Sequence, residues 1–220
     1  MLAIIEGFVY PSKPVAVDAT APAAETGYNI APTQQVNLLY AQDVDRFTAS
    51  TARWWFVPSW HKGALADWKA TTFNAKLETA YERPTFRAAW TSGRCLIPAT
   101  GYYEWSGPKG NRQPHRIYLD QNQPLMLFAG LQSLRNDGVR TCTILTREAS
   151  SEIKDLHPRM PVLLTSDEAE RWLCHSDEDD LIRADYGTHW KGRFRHHRVA
   201  KFGARDDGPE LIESAEGRLL

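Results

Sequence analysis

Short runs of β-branched and aromatic residues, each closed off by turn formers, govern what this chain can fold into. "QVNLLY" (35–40), "ARWWFVP" (52–58), "RCLIPATGYYEW" (94–105), "HRIYLD" (115–120), "PLMLFAGL" (124–131), "VRTCTILT" (139–146) and "MPVLL" (160–164) read as strands. "SGPKGNRQP" (106–114) reads as a loop between paired strands, and "PSKPVAVDATAPAAETG" (11–27) as an extended surface loop. Helical composition is confined to three places. "KLETAYERPTFRAAWTS" (76–92) carries Pro84, which breaks or restarts it. "SSEIKDLH" (150–157) makes two turns, and "TSDEAERWLC" (165–174) opens with Thr165 and Glu168 at capping-box spacing. Strands with helices set among them predict an α+β fold: a curled, largely antiparallel, β-barrel-like sheet with flanking short helices. No βαβ series and no Rossmann or P-loop glycine pattern is present.

The 220 residues suffice for a single domain spanning 1–220. With 42% apolar and 24% charged residues, the composition is that of a soluble globular protein. A net charge of −1 gives no overall attraction for nucleic acid, but the charge is uneven. "HWKGRFRHHRVAK" (189–201) holds five Lys or Arg and no acid, and the mostly acidic "RDDGPELIESAEG" follows it. That basic stripe reads either as a local phosphate-binding strand or as a solvated surface strand. Cys95, Cys142 and Cys174 are odd in number and far apart, which argues against a disulfide framework and a zinc knuckle. No metal or cofactor is expected. The start "MLAIIEGFVYPSK" lacks a basic n-region, and no apolar run spans a bilayer, so a cytoplasmic monomer without membrane contact is expected.

Four stretches set ionisable or amide side chains beside small or rigid neighbours: "YNIAPTQ" (28–34), "FNAKLETA" (73–80), "RCLIPATGYYEW" (94–105) and "LHPRMPVLL" (156–164). Their candidates are Asn29, Asn74, Lys76, Glu78, Glu104, His157 and Arg159. Each has a plain structural reading: a cap or turn for Asn74, a buried Arg partner for Glu104, a capping or core histidine for His157, a surface ion pair for Arg159. Together, amide, carboxyl and imidazole make an acid–base and orienting set. Glu104, among Tyr102, Tyr103 and Trp105, is expected to have a raised pKa through desolvation.

These stretches, with "WWFVPSWHKG" (54–63), "FAGLQS" (128–133) and "TILTREAS" (143–150), resemble in order and spacing those of the SRAP family (SOS-response-associated peptidase), the abasic-site-processing proteins. The likeness is best over 28–173, leaving 1–27 as a divergent N-terminal segment. The resemblance implies one α+β domain with a groove for single-stranded DNA bearing an abasic site. It also implies a covalent crosslink between the N-terminal residue and the ring-opened sugar. Asn74, Glu104 and His157 take the supporting catalytic positions, Glu104 moving protons during sugar opening and imine formation. Lys76, Arg159 and Arg83 would face phosphates, and Trp60, Trp105 and Pro32 would supply apolar faces. Core packing is an equal reading for each aromatic residue.

The sequence departs from the family at its start, which is Met-Cys-Gly-Arg there and "MLAIIEG" here. Leu2 replaces the nucleophile and Ile4 a phosphate-binding Arg. A thiazolidine needs thiol and amine on one residue, so Cys95, Cys142 and Cys174 cannot substitute. Lys76 stands where Arg is usual, Pro158 where Asp is usual and Trp55 where Gly is usual. Three outcomes follow: imine chemistry through the Met1 amine, non-covalent binding of single strands, or a natural amino end different from this one. A peptidase or autopeptidase, as the family name suggests, and a plain interaction protein are further alternatives.

Overall fold

The computed structural model describes residues 15–17, 26–43, 46–119, 125–174 and 194–217. Its strands are β1 (Val15–Val17), β2 (Gln35–Asp43), β3 (Arg46–Trp54), β4 (Asn74–Lys76), β5 (Arg94–Ala99), β6 (Tyr102–Ser106), β7 (Gln113–Leu119), β8 (Met126–Leu134), β9 (Arg140–Glu148), β10 (Arg159–Pro161) and β11 (Phe194–Arg198). Among the described residues three short α-helices accompany them: α1 (Leu77–Ala80), α2 (Arg87–Ser92) and α3 (Ser166–Cys174). The larger sheet runs β1-β3-β2-β5-β8-β9-β10, with β4 also on β9. It curls until β3 meets β9, at Arg53–Thr141 and Trp54–Cys142. The smaller sheet runs β11-β7-β6 and is antiparallel throughout. The fold is α+β, with a curled and mostly antiparallel sheet.

Alternation along the strands explains the layering. Leu39, Leu96, Leu127 and Leu145 face one core, which α2 and α3 cover with Trp90, Ala169, Trp172 and Leu173. Leu38, Cys95, Phe128 and Ile144 face the other core, which Leu119, Tyr102 and Phe194 of the small sheet cover. Strand β8 crosses the middle of both and needs Gly130 there. A Cβ at Gly130 would lie 2.8 Å from Ile97 Cδ1 and 2.9 Å from the Thr143 carbonyl oxygen, so a side chain would push β5 or β9 away.

Several sequence expectations shift. "WWFVP" is strand only as far as Trp54. Strand β3 starts earlier, in the polar "RFTASTAR", and buried Phe56 and Val57 follow it in irregular chain. The run 94–105 is two strands in different sheets, separated at Thr100–Gly101. Residues 150–157 form hydrogen-bonded turns rather than a helix. Ile153 and Lys154 donate to the Ser150 carbonyl, and Pro158 stops propagation. Of the loop expected over 11–27, residues 15–17 form β1, and most of the remainder lies outside the described residues. Pro84 separates α1 from α2 as expected. The capping box of α3 is formed: Thr165 N–H donates to Glu168 Oε2 at 2.8 Å and Glu168 N–H to Thr165 Oγ1 at 3.3 Å.

α3 is held by Trp172, which is fully buried. Its Nε1–H donates to the Cys95 carbonyl at 3.0 Å, its ring meets Trp90 edge-on at 5.3 Å, and the Arg94 guanidinium lies 4.7 Å from its centroid. Trp172→Ala removes a large apolar surface and a hydrogen bond together. It should destabilise the fold by about 3–5 kcal/mol in urea denaturation followed by circular dichroism, and a loss below about 1 kcal/mol would contradict this packing.

Candidate active site

Strand β9 brings the site together. On one edge it pairs in parallel with β4, Asn74 against Ile144 and Lys76 against Thr146. On the other it pairs with β10, Pro161 against Thr146 and Arg159 against Glu148. Alternation on β4 buries Ala75 and leaves Asn74 and Lys76 exposed on one shared face. The Asn74 carboxamide has no hydrogen-bond partner among the described residues. α1 begins directly after Lys76, so Glu78 lies within reach of β10.

Ile153 of the connection from β9 to β10, with Met160 of β10, packs against Ile117 of the small sheet. This carries His157 to the small sheet's inner face, where its Nδ1 lies 3.6 Å from Glu104 Oε1. That separation couples the two electrostatically without a hydrogen bond. Glu104 is mostly buried, its side chain 22% exposed against 43% for His157. Desolvation holds the Glu104 carboxyl above its ordinary range. The His157 charge, the Trp105 backbone N–H and Arg112 pull against that rise without cancelling it. Tyr103 and Trp105, expected to surround Glu104, lie on the opposite face of β6. Of the flanking rings only Tyr102 shares its face, packing on Phe128.

The other expected residues divide. Arg159 forms a two-pronged ion pair with Glu78, at 2.6 and 2.7 Å, and also donates to the Thr146 carbonyl. Trp60 is 55% exposed and stacks edge-on against Trp68, on the chain leading into β4. Trp105 is 41% exposed and forms an outer aromatic group with Tyr103 and Phe202. Pro32 sits in a turn closed by Gln34 N–H on the Ala31 carbonyl, with Thr33 at φ 85°. Arg83 is exposed in the turn between α1 and α2. Asn29 has a tethering position: its amide donates to the Gly203 and Asp206 carbonyls. Met1, Leu2 and Ile4 lie outside the described residues.

A row of polar residues continues beyond Glu104 across the small sheet. His115 lies opposite Glu104 across the strand pair, and Arg198 lies opposite His115. The His115 Nε2 meets Ser106 Oγ at 2.9 Å, and burial, then His196 and Arg198, push its pKa down. Only the pairing register reveals this row. Among the described residues, no group of three or more His, Cys, Asp or Glu is placed to hold a metal ion.

The sequence profile of the SOS response associated peptidase (SRAP) family matches residues 9–201. The chain belongs to the SRAP family. This SRAP chain is 33% identical over 209 residues to the abasic site processing protein YoqW of Bacillus subtilis, covering 90% of this chain and 91% of that one. It is 28% identical over 192 residues to the abasic site processing protein YedK of Escherichia coli, covering 84% and 83%. A crystal structure of a Bordetella bronchiseptica protein shares the fold at a TM-score of 0.68 and 27% identity, covering 83% of this chain and 92% of that one.

A carboxyl whose pKa is raised in the folded state stabilises the fold most when protonated. That contribution is full below the unfolded carboxylate range, near pH 4.3, and is lost as pH rises through the folded value. Glu104→Gln should therefore be more stable than the native chain at pH 7, with the difference shrinking towards pH 4. Urea midpoints at the two pH values test this. A variant less stable at pH 7 would mean that the His157 attraction outweighs desolvation.

Proposed function

We propose that the chain binds abasic sites in single-stranded DNA and condenses its N-terminal amine with the aldehyde of the ring-opened sugar. The observation that carries this reading is the Glu104–His157 pair: a carboxyl biased towards protonation, beside an imidazole, within an SRAP fold. The relatives named as abasic site processing proteins supply the substrate class. Exposed Lys76 offers a cation beside Asn74, and exposed Trp60 a stacking face on the same stretch of chain.

In this mechanism the neutral Met1 amine attacks C1′ of the aldehyde to give a carbinolamine. An amino terminus with a pKa near 8 has a usable neutral fraction at pH 7. Glu104 in its protonated form donates to the departing hydroxyl, water leaves and the imine forms. His157 takes the proton released by the iminium nitrogen, steadies the Glu104 carboxylate as a cation, and then returns that proton to Glu104. Asn74 orients the amino end and the sugar hydroxyls. Where Met1 is the amino end, Leu2 beside it offers no thiol to close a ring, so the imine stays reversible or proceeds to β-elimination. The thiols of Cys95 and Cys142 are fully buried with pKa values pushed up by desolvation, which leaves them inert.

The second reading is non-covalent binding alone, favoured by Leu2 itself. Both are tested by incubating the protein with a single strand carrying one abasic site, with and without borohydride, on a denaturing gel. The covalent reading expects a retarded band only after reduction, diminished about 10²-fold or more by Glu104→Gln. Retention on native gels without any reducible adduct selects the second reading, and no retention at all rejects both. Lys76→Ala should weaken binding to every sequence alike and reduce the slope of log affinity against log salt by about 0.7. An unchanged slope would remove Lys76 from the groove.

A further inference from the structure

Arg159 is committed to the protein before any ligand arrives. A guanidinium has five N–H groups. One on Nη1 goes to Glu78 Oε1, and those on Nη2 go to Glu78 Oε2 and the Thr146 carbonyl. The one on Nε is buried without a partner. A single Nη1 hydrogen remains, and the carboxylate already balances the charge.

The same residue holds His157 through its backbone. His157 Nδ1 lies 2.8 Å from the Arg159 carbonyl oxygen and 3.2 Å from the Arg159 amide nitrogen. The carbonyl needs Nδ1 protonated and the amide needs it bare. Both contacts come from the Arg159 backbone, so its position sets which of the two roles Nδ1 takes. Thr146, gripped by the Arg159 side chain, is the β9 residue paired with both Lys76 and Pro161. Glu78, Arg159 and Thr146 thus clamp α1, β10 and β9 at the root of the segment that carries His157.

We propose that Glu78 is a positioning residue which, through Arg159, fixes the orientation and tautomer of the His157 imidazole against Glu104. The proposal rests on the reading of Glu104 and His157 as the reactive pair, but its first test needs no DNA. Arg159 lowers the Glu78 carboxyl below its ordinary range, so the clamp is fully charged at neutral pH and weakens in acid. The groups facing His157 are Glu104 from β6 and Arg159 from β10, and Arg112 acts on the same carboxylate.

The experiment follows the His157 ring nitrogens by NMR through a pH titration of the ¹⁵N-labelled chain, its signals assigned with His157→Gln. Glu78→Gln keeps the side chain's shape and removes its charge. It should move the His157 midpoint by at least about 0.3 pH unit or populate the second tautomer. Glu78→Asp, which keeps the charge and shortens the reach, should fall between the two and gives the same readout if the Gln variant is unstable. Unchanged titration and tautomer in both variants would overturn the proposal. Where the wild-type chain forms the reducible adduct, Glu78→Gln should slow it about tenfold and change retention of undamaged strand less than about twofold. Absence of DNA binding by the wild-type chain would remove the substrate reading and leave the NMR result to decide the clamp.

Discussion

Backbone sharing at strand β9 is the constraint on which the rest depends. Along one edge β9 pairs first with β8 and then with β10, and along the other first with β3 and then with β4. Residues 141–145 of β9 are buried, as a strand covered on both faces requires. The fully buried Thr141 adds to this, its hydroxyl exchanging hydrogen bonds with the Val57 backbone at 2.9 and 3.1 Å. Moving β9 by one residue would turn Thr146 away from Lys76 and Pro161 together and disconnect both sides of the site.

This explains why the clamp lies at the emerging end of β9. Burial ends at Leu145, and Thr146 is the first residue with partial access to solvent. An arginine reaching there can satisfy a strand carbonyl and still meet an acid that is 49% exposed. Farther inside, the pair would incur the full desolvation of two charges. Farther out, it would be a solvent-screened bridge of small value. Arg94 marks the contrasting case. It is 3% exposed, donates to the Trp90 carbonyl at 2.9 Å and lies over the rings of Trp90 and Trp172.

Legibility in the sequence followed how local the cause was. "VRTCTILT" reads as a strand because Thr, Cys and Ile fit a pleated interior. The Thr165–Glu168 box reads as a helix start because its hydrogen bonds span three residues. β4 has only three residues, "NAK", and is a strand because β9 offers an edge, which no periodicity could reveal. "WWFVP" misled in the other direction, since its aromatic residues past Trp54 report packing rather than strand: Trp55, beyond the end of β3, closes on Phe73 at 5.5 Å in irregular chain. Glu104 was legible as a desolvated acid, but for a partly wrong reason. The rings beside it in sequence point away, and burial comes from the packing of two sheets. Its meeting with His157, more than fifty residues on, was available only through the family resemblance.

The alternation that turns Tyr103 and Trp105 away from Glu104 also limits how a polymer could use this sheet. The acid and imidazole occupy the inner face, and the aromatic group of Tyr103, Trp105 and Phe202 the outer one. Among the described residues β6 is the outermost strand in the order β11-β7-β6, so the two faces meet along its edge. A strand of nucleic acid that stacks on Trp105 and also presents a sugar to Glu104 must therefore cross that edge rather than lie along either face. The crossing bends the backbone at the sugar, and a nucleotide without its base bends there most readily, having no stacking to lose. On the function proposed above, selectivity for the lesion arises partly from the shape of the β6 edge, before any bond forms at the aldehyde.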